Sequence, residues 1–265
     1  MNDKLPISLV VITFNEERNL ERCLRAADFC SEIVVVDSGS TDRTLKIAGG
    51  HSARILQRAW TGYRDQKNYG TEAASQEWVL CIDADEVVSP ELRQSILNAF
   101  REKPACDAFF INRHSFYADK LINHSGWYPQ WRMFLYRKGK AHWGGDEPHT
   151  IVIFTGNKSA RLVGDLYHYT YPDSQEHIRK SMRAAADAAE AMFKSGRHAN
   201  VFDLVFRGPW AAIKCYLFQA GFQDGFYGFI IARMSGYYTF AKYAMLREKW
   251  RLHRRSASAN HANET

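Results

Sequence analysis

The amino-acid sequence predicts an α/β fold with a mixed, mainly parallel β-sheet, followed by a helical C-terminal region. Three observations support this prediction. Short β-branched runs alternate with helical segments over residues 7–101, which is typical of parallel strands joined by crossover helices. Short strands without intervening helices follow over residues 108–168. Beyond residue 171 the pattern is that of helices rich in aromatic residues.

The individual elements are predicted from apolar runs and their boundary residues. The best-marked helix start is Pro90 after Ser89, because Ser is a favourable N-cap and Pro suits the first helical position. In chain order we predict strand 7–12, a helix ending near residue 28, strand 33–36, helix 43–48, strand 54–56, helix 62–74, strand 78–82, helix 91–101 and strands 108–111, 132–136 and 151–154.

Composition and length predict a folded protein of more than one part. The hydrophobic fraction of 46% and the charged fraction of 24% are those of ordinary folded proteins. A capping-box pattern begins a helix at Asp173, with Glu176 three residues later. We therefore predict an α/β domain over residues 1–170, a helical region over residues 171–250 and a disordered tail over residues 251–265.

The formal net charge of +6 favours anionic partners such as phosphate groups or an anionic membrane surface. No nucleic-acid-binding module accompanies the basic residues, so we exclude nucleic acid as a partner. The five cysteines form no close pair, which indicates reduced thiols, and the N-terminus is too polar for a signal peptide. No apolar run has the length of a membrane span. These features predict a cytoplasmic protein.

The segment Asp83-Ala84-Asp85-Glu86 places three acidic residues at the end of the apolar run 78–82. Carboxylates are preferred ligands of Mg²⁺, which proteins hold with one or two of them together with phosphate oxygens of a substrate. The polar segments 13–16 and 37–42 follow two other strands, and the carboxyl ends of parallel strands meet at one edge of a sheet. The sequence therefore predicts a metal-diphosphate site at this edge.

Three motifs in this order resemble the inverting family-2 glycosyltransferases. They are Val10-Val11-Ile12-Thr13-Phe14-Asn15-Glu16, then Ile33-Val34-Val35-Val36-Asp37-Ser38-Gly39-Ser40-Thr41-Asp42-Arg43-Thr44, then Asp83-Ala84-Asp85-Glu86. The resemblance is strong over residues 7–92 and looser to about residue 180. It implies the type A fold, a Rossmann-like nucleotide-sugar-binding domain, over residues 1–170.

The chain length, the segment Gly62–Asn68 and the aromatic C-terminal region look closest to lipopolysaccharide core β-1,4-glucosyltransferases. That resemblance implies UDP-glucose as the donor and an inner-core heptose of a glycolipid as the acceptor. It also implies Mg²⁺ or Mn²⁺ as the cofactor.

Four residues after the first two strands are predicted to bind the donor. Asp37 can accept the imide N–H of uracil, and Thr13, Asn15 and Glu16 are placed to meet the base and ribose. For Glu16 the equal alternative is an acid in the first turn of a helix, which the helix dipole favours. Asp42 is predicted to cap a helix and not to contact the ligand.

The remaining donor and metal residues combine spacing with the resemblance. Arg64 and Lys67 stand one helical turn apart and can meet uracil or the diphosphate, with a solvated helix face as the alternative. The resemblance implies that Asp85 binds the metal directly and that Asp83 contacts the ribose or a metal-bound water. His168 is a second candidate metal ligand, and its alternative is a packed, hydrogen-bonded side chain.

Inversion requires one in-line attack by the acceptor hydroxyl, helped by a general base. The segment Trp143–His149 is the best place for this base, because its glycines permit close approach and two acids stand together. Asp146 and Glu147 are equal candidates.

Aromatic and basic residues together in the C-terminal region suit the interface of an anionic membrane. A glycolipid acceptor requires this location, so we predict a peripheral protein on the cytoplasmic face of the inner membrane. The alternative is that the aromatic residues pack on the α/β domain. One alternative function is a glycosyltransferase for another surface polysaccharide. Two others are a nucleotidyltransferase, which the glycine-poor loop 13–16 disfavours, and a non-catalytic nucleotide-sugar-binding protein, which the intact acids disfavour.

Overall fold

The structure is a computed structural model that describes residues 4–145 and 150–263, with side chains to residue 256. It divides into two compact units. The first consists of Met1–His114 and Pro129–Tyr169, and the second of Ser115–Tyr128 and Thr170–Thr265. The change of unit near residue 170 lies where the sequence predicts a domain boundary, whereas the assignment of Ser115–Tyr128 to the second unit was not predicted.

The strands and helices as far as the change of unit near residue 170 are β1 (Leu5–Thr13), α1 (Leu20–Ala26), β2 (Cys30–Asp37), α2 (Thr44–Gly50), β3 (Arg54–Gln57), α3 (Tyr63–Ala73), β4 (Trp78–Asp83), β5 (Glu86–Val88), α4 (Pro90–Ala99), β6 (Ala108–Tyr117), β7 (Lys120–Leu121), β8 (Gln130–Arg137), β9 (Ala141–Gly144), β10 (Ile151–Phe154) and β11 (Ser159–Tyr171). As predicted, Ser89 caps α4 by accepting a hydrogen bond from Leu92 N.

The main sheet has the strand order β3-β2-β1-β4-β8-β6-β11-β5, with β7 paired to β6. Strands β3, β2, β1 and β4 are parallel, whereas β8 runs antiparallel to β4 and β6. The register sets Thr13 opposite Asp37 on one side of β1 and Ile12 opposite Asp83 on the other. The α/β fold is therefore confirmed, and the strand ends carrying the motifs meet at one edge.

Both faces of β1, β4 and the C-terminal half of β2 are buried, which explains their continuous apolar sequences. Leu9 and Val11 face a core shared with α1 and α4, while Val10 and Val36 face a second core. Helix α3 lies close against the second face because Gly70 has no side chain. A Cβ at residue 70 would approach Val10 Cγ1 to 2.6 Å. This close packing fixes α3, and with it Lys67, against the sheet.

The second unit consists mainly of α5 (Ser174–Lys194), α6 (Val201–Ile213), a π-helical turn (Lys214–Phe218), a 3₁₀ turn (Gly221–Asp224) and α7 (Gly225–Asn263). Asp173 caps α5 by accepting a hydrogen bond from Glu176 N, as the capping box predicts. Gly208 and Gly236 allow α6 and α7 to approach closely. Helix α7 includes residues 251–263, where a disordered tail was predicted, because its helical hydrogen bonding continues past the basic residues. Among the described helices, none is long and apolar enough to cross a membrane.

Candidate active site

Asp37 ends β2 at the edge where the motifs meet, and its carboxylate is fully buried. Asp37 Oδ1 accepts hydrogen bonds from Thr13 Oγ1 at 3.0 Å and from Ser40 Oγ at 2.5 Å. Asp37 Oδ2 accepts hydrogen bonds from the backbone N–H groups of Gly39 and Ser40, each at 2.9 Å. A carboxylate has about four acceptor positions, so these bonds use them all. Asp37 therefore anchors the turn after β2, and its contact with uracil stays a prediction.

The loop after β1 is tied to the loop after β2. Asn15 has a φ of 56°, a left-handed conformation that Asn tolerates better than most residues. Its N–H donates to Ser40 Oγ at 2.8 Å, and its Oδ1 accepts from Thr41 N at 2.9 Å. The polar segments of the first two motifs thus form one connected surface.

Glu16 lies in this loop and not in a helix, because α1 begins at Leu20. Its backbone carbonyl accepts hydrogen bonds from Asn19 N at 3.0 Å and Leu20 N at 2.9 Å just before α1, so both predicted roles of Glu16 stay predictions. Glu16 Oε2 accepts a hydrogen bond from Asn19 Nδ2 at 2.7 Å. Asp42 Oδ1 accepts a hydrogen bond from Thr44 N at 2.9 Å, but the N-cap of α2 is Arg43 and not Asp42 as predicted, because the helix begins one residue later, at Thr44.

Lys67 and Asp83 form an ion pair with 2.8 Å between Nζ and Oδ1. Lys67 is buried, and its ammonium group lies 4.2 Å from the ring centroid of Trp143. Burial opposes the charged form of Lys67, but the nearby acidic groups of Asp83, Cys81 and Glu86 together outweigh burial and raise the lysine pKa. Arg64, which was predicted to share this role, is exposed and contacts Asp65. The structure thus brings one member of the basic pair to the acidic motif.

Glu86 is completely buried behind the motif, where its Oε2 accepts a hydrogen bond from Asp83 N at 2.9 Å. Burial and the charge of Asp83 raise the pKa of Glu86. Glu86 therefore shapes the turn that presents Asp83 and Asp85.

Asp85 and His168 lie side by side, with 3.4 Å between Oδ2 and Nε2. The cause is the antiparallel pairing of β5 with β11, which sets His168 opposite Glu86, and a backbone bond from Tyr169 N to Asp85 O. Two ligands of one cation, each about 2.1 Å from it, lie no more than roughly 4.2 Å apart. The pair is therefore compatible with binding one cation.

The donor set also fits Mg²⁺ or Mn²⁺ in a second respect. Within the described ranges, no group of three or more His, Cys, Asp and Glu side chains forms a metal cage. Mg²⁺ commonly binds to one or two carboxylates and takes its other ligands from water and substrate phosphates. Asp85, which follows β4, and His168, which lies on β11, offer one carboxylate and one imidazole for such a set.

The predicted base candidates Asp146 and Glu147 lie outside the described residues. The preceding strand β9 is described, and its Trp143 is held by α3: Asn68 Oδ1 accepts from Trp143 N at 2.8 Å, and Asn68 Nδ2 donates to Trp143 O at 2.9 Å. The same tryptophan contacts Lys67. The chain therefore enters the segment 146–149 from a position fixed beside the acidic motif.

Sequence reasoning missed the two arginines near this edge, Arg113 on β6 and Arg132 on β8. Arg113 Nη1 lies 3.6 Å from Glu86 Oε1. Their signal in the sequence is weak, because isolated arginines in strands of the antiparallel half belong to no motif. The sequence gives Asn68 only as part of the segment Gly62–Asn68. Its two hydrogen bonds to the backbone of Trp143 join residues that lie 75 positions apart.

Comparison with solved structures supports the fold. A crystal structure of S. aureus TarS 1-349 in complex with UDP-GlcNAc superposes with a TM-score of 0.51 at 16% sequence identity. The match covers 94% of this chain and 92% of that chain. At this identity the likeness shows the fold alone, which is the type A fold.

Two related sequences match this chain over nearly its whole length. The lipopolysaccharide core biosynthesis glycosyltransferase LpsC of Rhizobium meliloti is 28% identical over 94% of both chains. An uncharacterized glycosyltransferase, RT0209, of Rickettsia typhi is 29% identical over 91% of this chain and 87% of its own. The model of the family Glycosyl transferase family 2 matches residues 8–160, more than half of the chain. The chain belongs to glycosyltransferase family 2.

Proposed function

We propose that the protein is a metal-dependent, inverting hexosyltransferase that moves glucose from UDP-glucose to an inner-core heptose of lipopolysaccharide. The observation that carries the proposal is the Asp85–His168 pair beside the Lys67–Asp83 ion pair, at the edge of a type A fold. The acceptor class is supported by the 28% identity to a lipopolysaccharide core biosynthesis glycosyltransferase.

Asp85 and His168 would hold Mg²⁺ or Mn²⁺, whose chemistry there is to neutralise the charge that develops on the departing UDP. Lys67 orients Asp83 through the 2.8 Å contact. Asp83 is thus set to accept a hydrogen bond from the ribose or from a metal-bound water. The loop of Thr13, Asn15 and Glu16 lies beside Asp37, where we propose that uridine binds.

The transfer itself is one displacement at the anomeric carbon. An acceptor hydroxyl oxygen forms the new bond on the face opposite the leaving group, while the bond to the UDP oxygen breaks and the configuration inverts. The hydroxyl proton goes to a carboxylate, which we propose is Asp146 or Glu147. Asp146→Asn and Glu147→Gln separate the candidates. The variant that removes the base should lose turnover but keep UDP binding, whereas the other variant should keep both.

The test of this function is a donor and acceptor screen. The full chain is incubated with Mn²⁺, a panel of UDP-, GDP- and ADP-sugars, and lipopolysaccharide from cells that lack this protein. We expect UDP release and sugar transfer with UDP-glucose, and the β configuration of the new linkage by NMR. Transfer of another sugar would overturn the donor assignment. Failure with every donor, with and without acceptor, would overturn the enzyme proposal.

A membrane location is supported by an apolar surface on the second unit. Six large side chains of this unit are each between 51% and 72% exposed: Phe202, Phe206, Trp210, Phe218, Phe226 and Phe229. The first three follow one another at intervals of four and therefore share one face of α6. Monomeric soluble proteins rarely leave such a surface in water, so we propose that it lies in the interface of a bilayer.

The charge of the same unit favours an anionic bilayer. Residues 201–256 contain nine Lys and Arg residues but three Asp and Glu residues, a formal net charge of +6 that equals that of the whole chain. Arg247, Arg251 and Arg255 share one face of α7 and line a surface cavity of about 340 Å³. Juxtamembrane basic residues each contribute about 1 kcal/mol to binding at anionic surfaces.

Sedimentation with lipid vesicles tests the location. We expect the protein to bind vesicles that contain phosphatidylglycerol and not pure phosphatidylcholine vesicles, and Trp210→Ser with Phe218→Ser to reduce binding. Phe14→Ser, an equally exposed aromatic of the first unit, is the matched control. Equal recovery of all variants with vesicles, or no binding at all, would contradict the proposal.

A further inference from the structure

Each acidic residue of the segment Asp83–Glu86 already has a cationic or titratable partner among the described residues. The partners and distances are Lys67 at 2.8 Å from Asp83, His168 at 3.4 Å from Asp85 and Arg113 at 3.6 Å from Glu86. Lys67 and Arg113 are full cations, whereas His168 is charged only when it is protonated, and a further positive charge lies near the acids of the motif.

Arg132 supplies such a further charge. In the pairing of β6 with β8, Ile111 lies opposite Arg132 and Arg113 opposite Gln130. Arg113 and Arg132 are thus diagonal neighbours on the same face of the sheet, within reach of long side chains. Burial and the charge of Arg113 both lower the pKa of Arg132, while Glu86 and Asp83 oppose them. The two guanidinium groups therefore repel each other.

The hydrogen-bonding groups of these arginines are incompletely used. In the described part of the chain, the guanidinium of Arg132 makes no hydrogen bond or ion pair. Arg113 donates to Gln130 Oε1 at 3.0 Å, but its Nε is buried and has no partner there. Two adjacent guanidiniums with spare N–H groups match the geometry of a phosphate, which Arg binds in a bidentate manner.

We propose that Arg113 and Arg132 form an anion site that binds a phosphate group of a substrate beside the metal motif. The inference rests on the proposed function, because a nucleotide-sugar transferase has substrates that carry phosphate. Two sources share this chemistry: the diphosphate of the donor and a phosphate substituent on the saccharide acceptor. A bound phosphate would balance the repulsion between the arginines and occupy their spare donors.

Arg132→Gln is the variant of choice, because Arg132 has no protein partner that its loss would leave buried. Arg132→Lys keeps the charge but removes the planar fork. Arg101→Gln, an exposed arginine at the end of α4, is the matched control. Calorimetry with Mn²⁺ compares the binding of UDP and of uridine, and kinetics compares untreated with phosphatase-treated core oligosaccharide as acceptor.

If the donor diphosphate occupies the site, Arg132→Gln weakens UDP binding by about 10- to 100-fold and leaves uridine binding unchanged. If an acceptor phosphate occupies it, UDP binding is unchanged, and KM rises about 10-fold or more for the untreated acceptor alone. Arg132→Lys should recover part of either loss.

The anion site is overturned if Arg132→Gln matches Arg101→Gln in UDP binding and in KM for both acceptors. It is also overturned if uridine binding falls as much as UDP binding, since that result indicates a general distortion. In both cases the wild-type chain still transfers sugar. Absence of UDP binding and transfer in the wild-type chain would instead contradict the proposed function.

Discussion

Asp37 and Asp85 each follow a buried parallel strand at the same edge of the sheet, yet their carboxylates have different surroundings. Asp37 is buried and accepts four hydrogen bonds from Thr13 and from its own turn. Asp85 faces His168, a side chain that can also bind a cation. The difference teaches that position at a strand end does not decide the role of an acid. The donors around the carboxylate decide it.

The largest expected effect is on catalysis, at Asp85. Asp85→Asn should lower kcat/KM with UDP-glucose and Mn²⁺ by about 10²–10⁴-fold, because loss of metal-based charge stabilisation costs several kcal/mol in the transition state. The free energy of unfolding should change by less than about 1 kcal/mol. Turnover and urea unfolding of the same sample measure both quantities.

Asn98→Ala, at an exposed position of α4, is a suitable control for that variant. Wild-type turnover by Asp85→Asn would show that Asp85 does not hold the metal. It would also remove the contrast between the two acids.

The second prediction concerns stability, at Asp37. Asp37→Ala should lower the free energy of unfolding by about 2–4 kcal/mol, because it leaves the buried hydroxyl of Thr13 and the partly buried donors of Gly39 and Ser40 without their acceptor. Thr13→Val, which removes a single donor to the same carboxylate, should cost only about 1 kcal/mol. Urea unfolding followed by circular dichroism measures the difference. Equal small losses for both variants would show that the hydrogen bonds do not anchor the turn.

The third prediction tests the ion pair that joins α3 to the acidic motif. Lys67→Met should destabilise the protein by about 1–3 kcal/mol, since Asp83 then keeps a partly buried charge without its partner. The double variant Lys67→Met with Asp83→Asn should recover most of this loss, because no charge is left unpaired. A double variant as unstable as the sum of both single variants would show that the two residues do not interact.

The sequence was sufficient for the fold and for the edge at which the site lies. The β-branched runs and their polar ends depend on local patterns, and the parallel register then brings residues 13, 37 and 83 together. The capping roles of Ser89 and Asp173 were equally predictable, because a cap acts within three residues of its own position.

What the sequence left open depends on contacts between distant segments. Only the pairing of β5 with β11 places His168 beside Asp85, and only the packing at Gly70 turns Lys67 inward while Arg64 stays exposed. Arg132 became a candidate only once β8 was seen beside β6. No local pattern carries this information, because each contact joins residues at least 16 positions apart in the sequence.

The fourth prediction concerns Asp42, whose contribution to stability we expect to be smaller than that of Asp37. Hydrogen bonds from Thr44 and from Glu17 N outweigh the opposing effect of burial and lower the pKa of Asp42. The carboxylate of Asp42 therefore binds a proton less tightly in the folded protein than in the unfolded chain. The resulting stabilisation is complete above the unfolded pKa of about 3.9, and it is lost as the pH falls through the lowered pKa of the folded protein. Asp42→Asn keeps the shape and removes the charge, so it should cost about 0.5–1 kcal/mol at pH 7, and the difference from wild type should shrink below about pH 4. Thermal unfolding from pH 3 to pH 7 measures this difference, with Glu102→Gln as an exposed control. A loss of stability that is independent of pH would mean that Asp42 stabilises the start of α2 through its shape alone. The role of Asp42 would then not depend on the donors around its charged carboxylate, in contrast to Asp37.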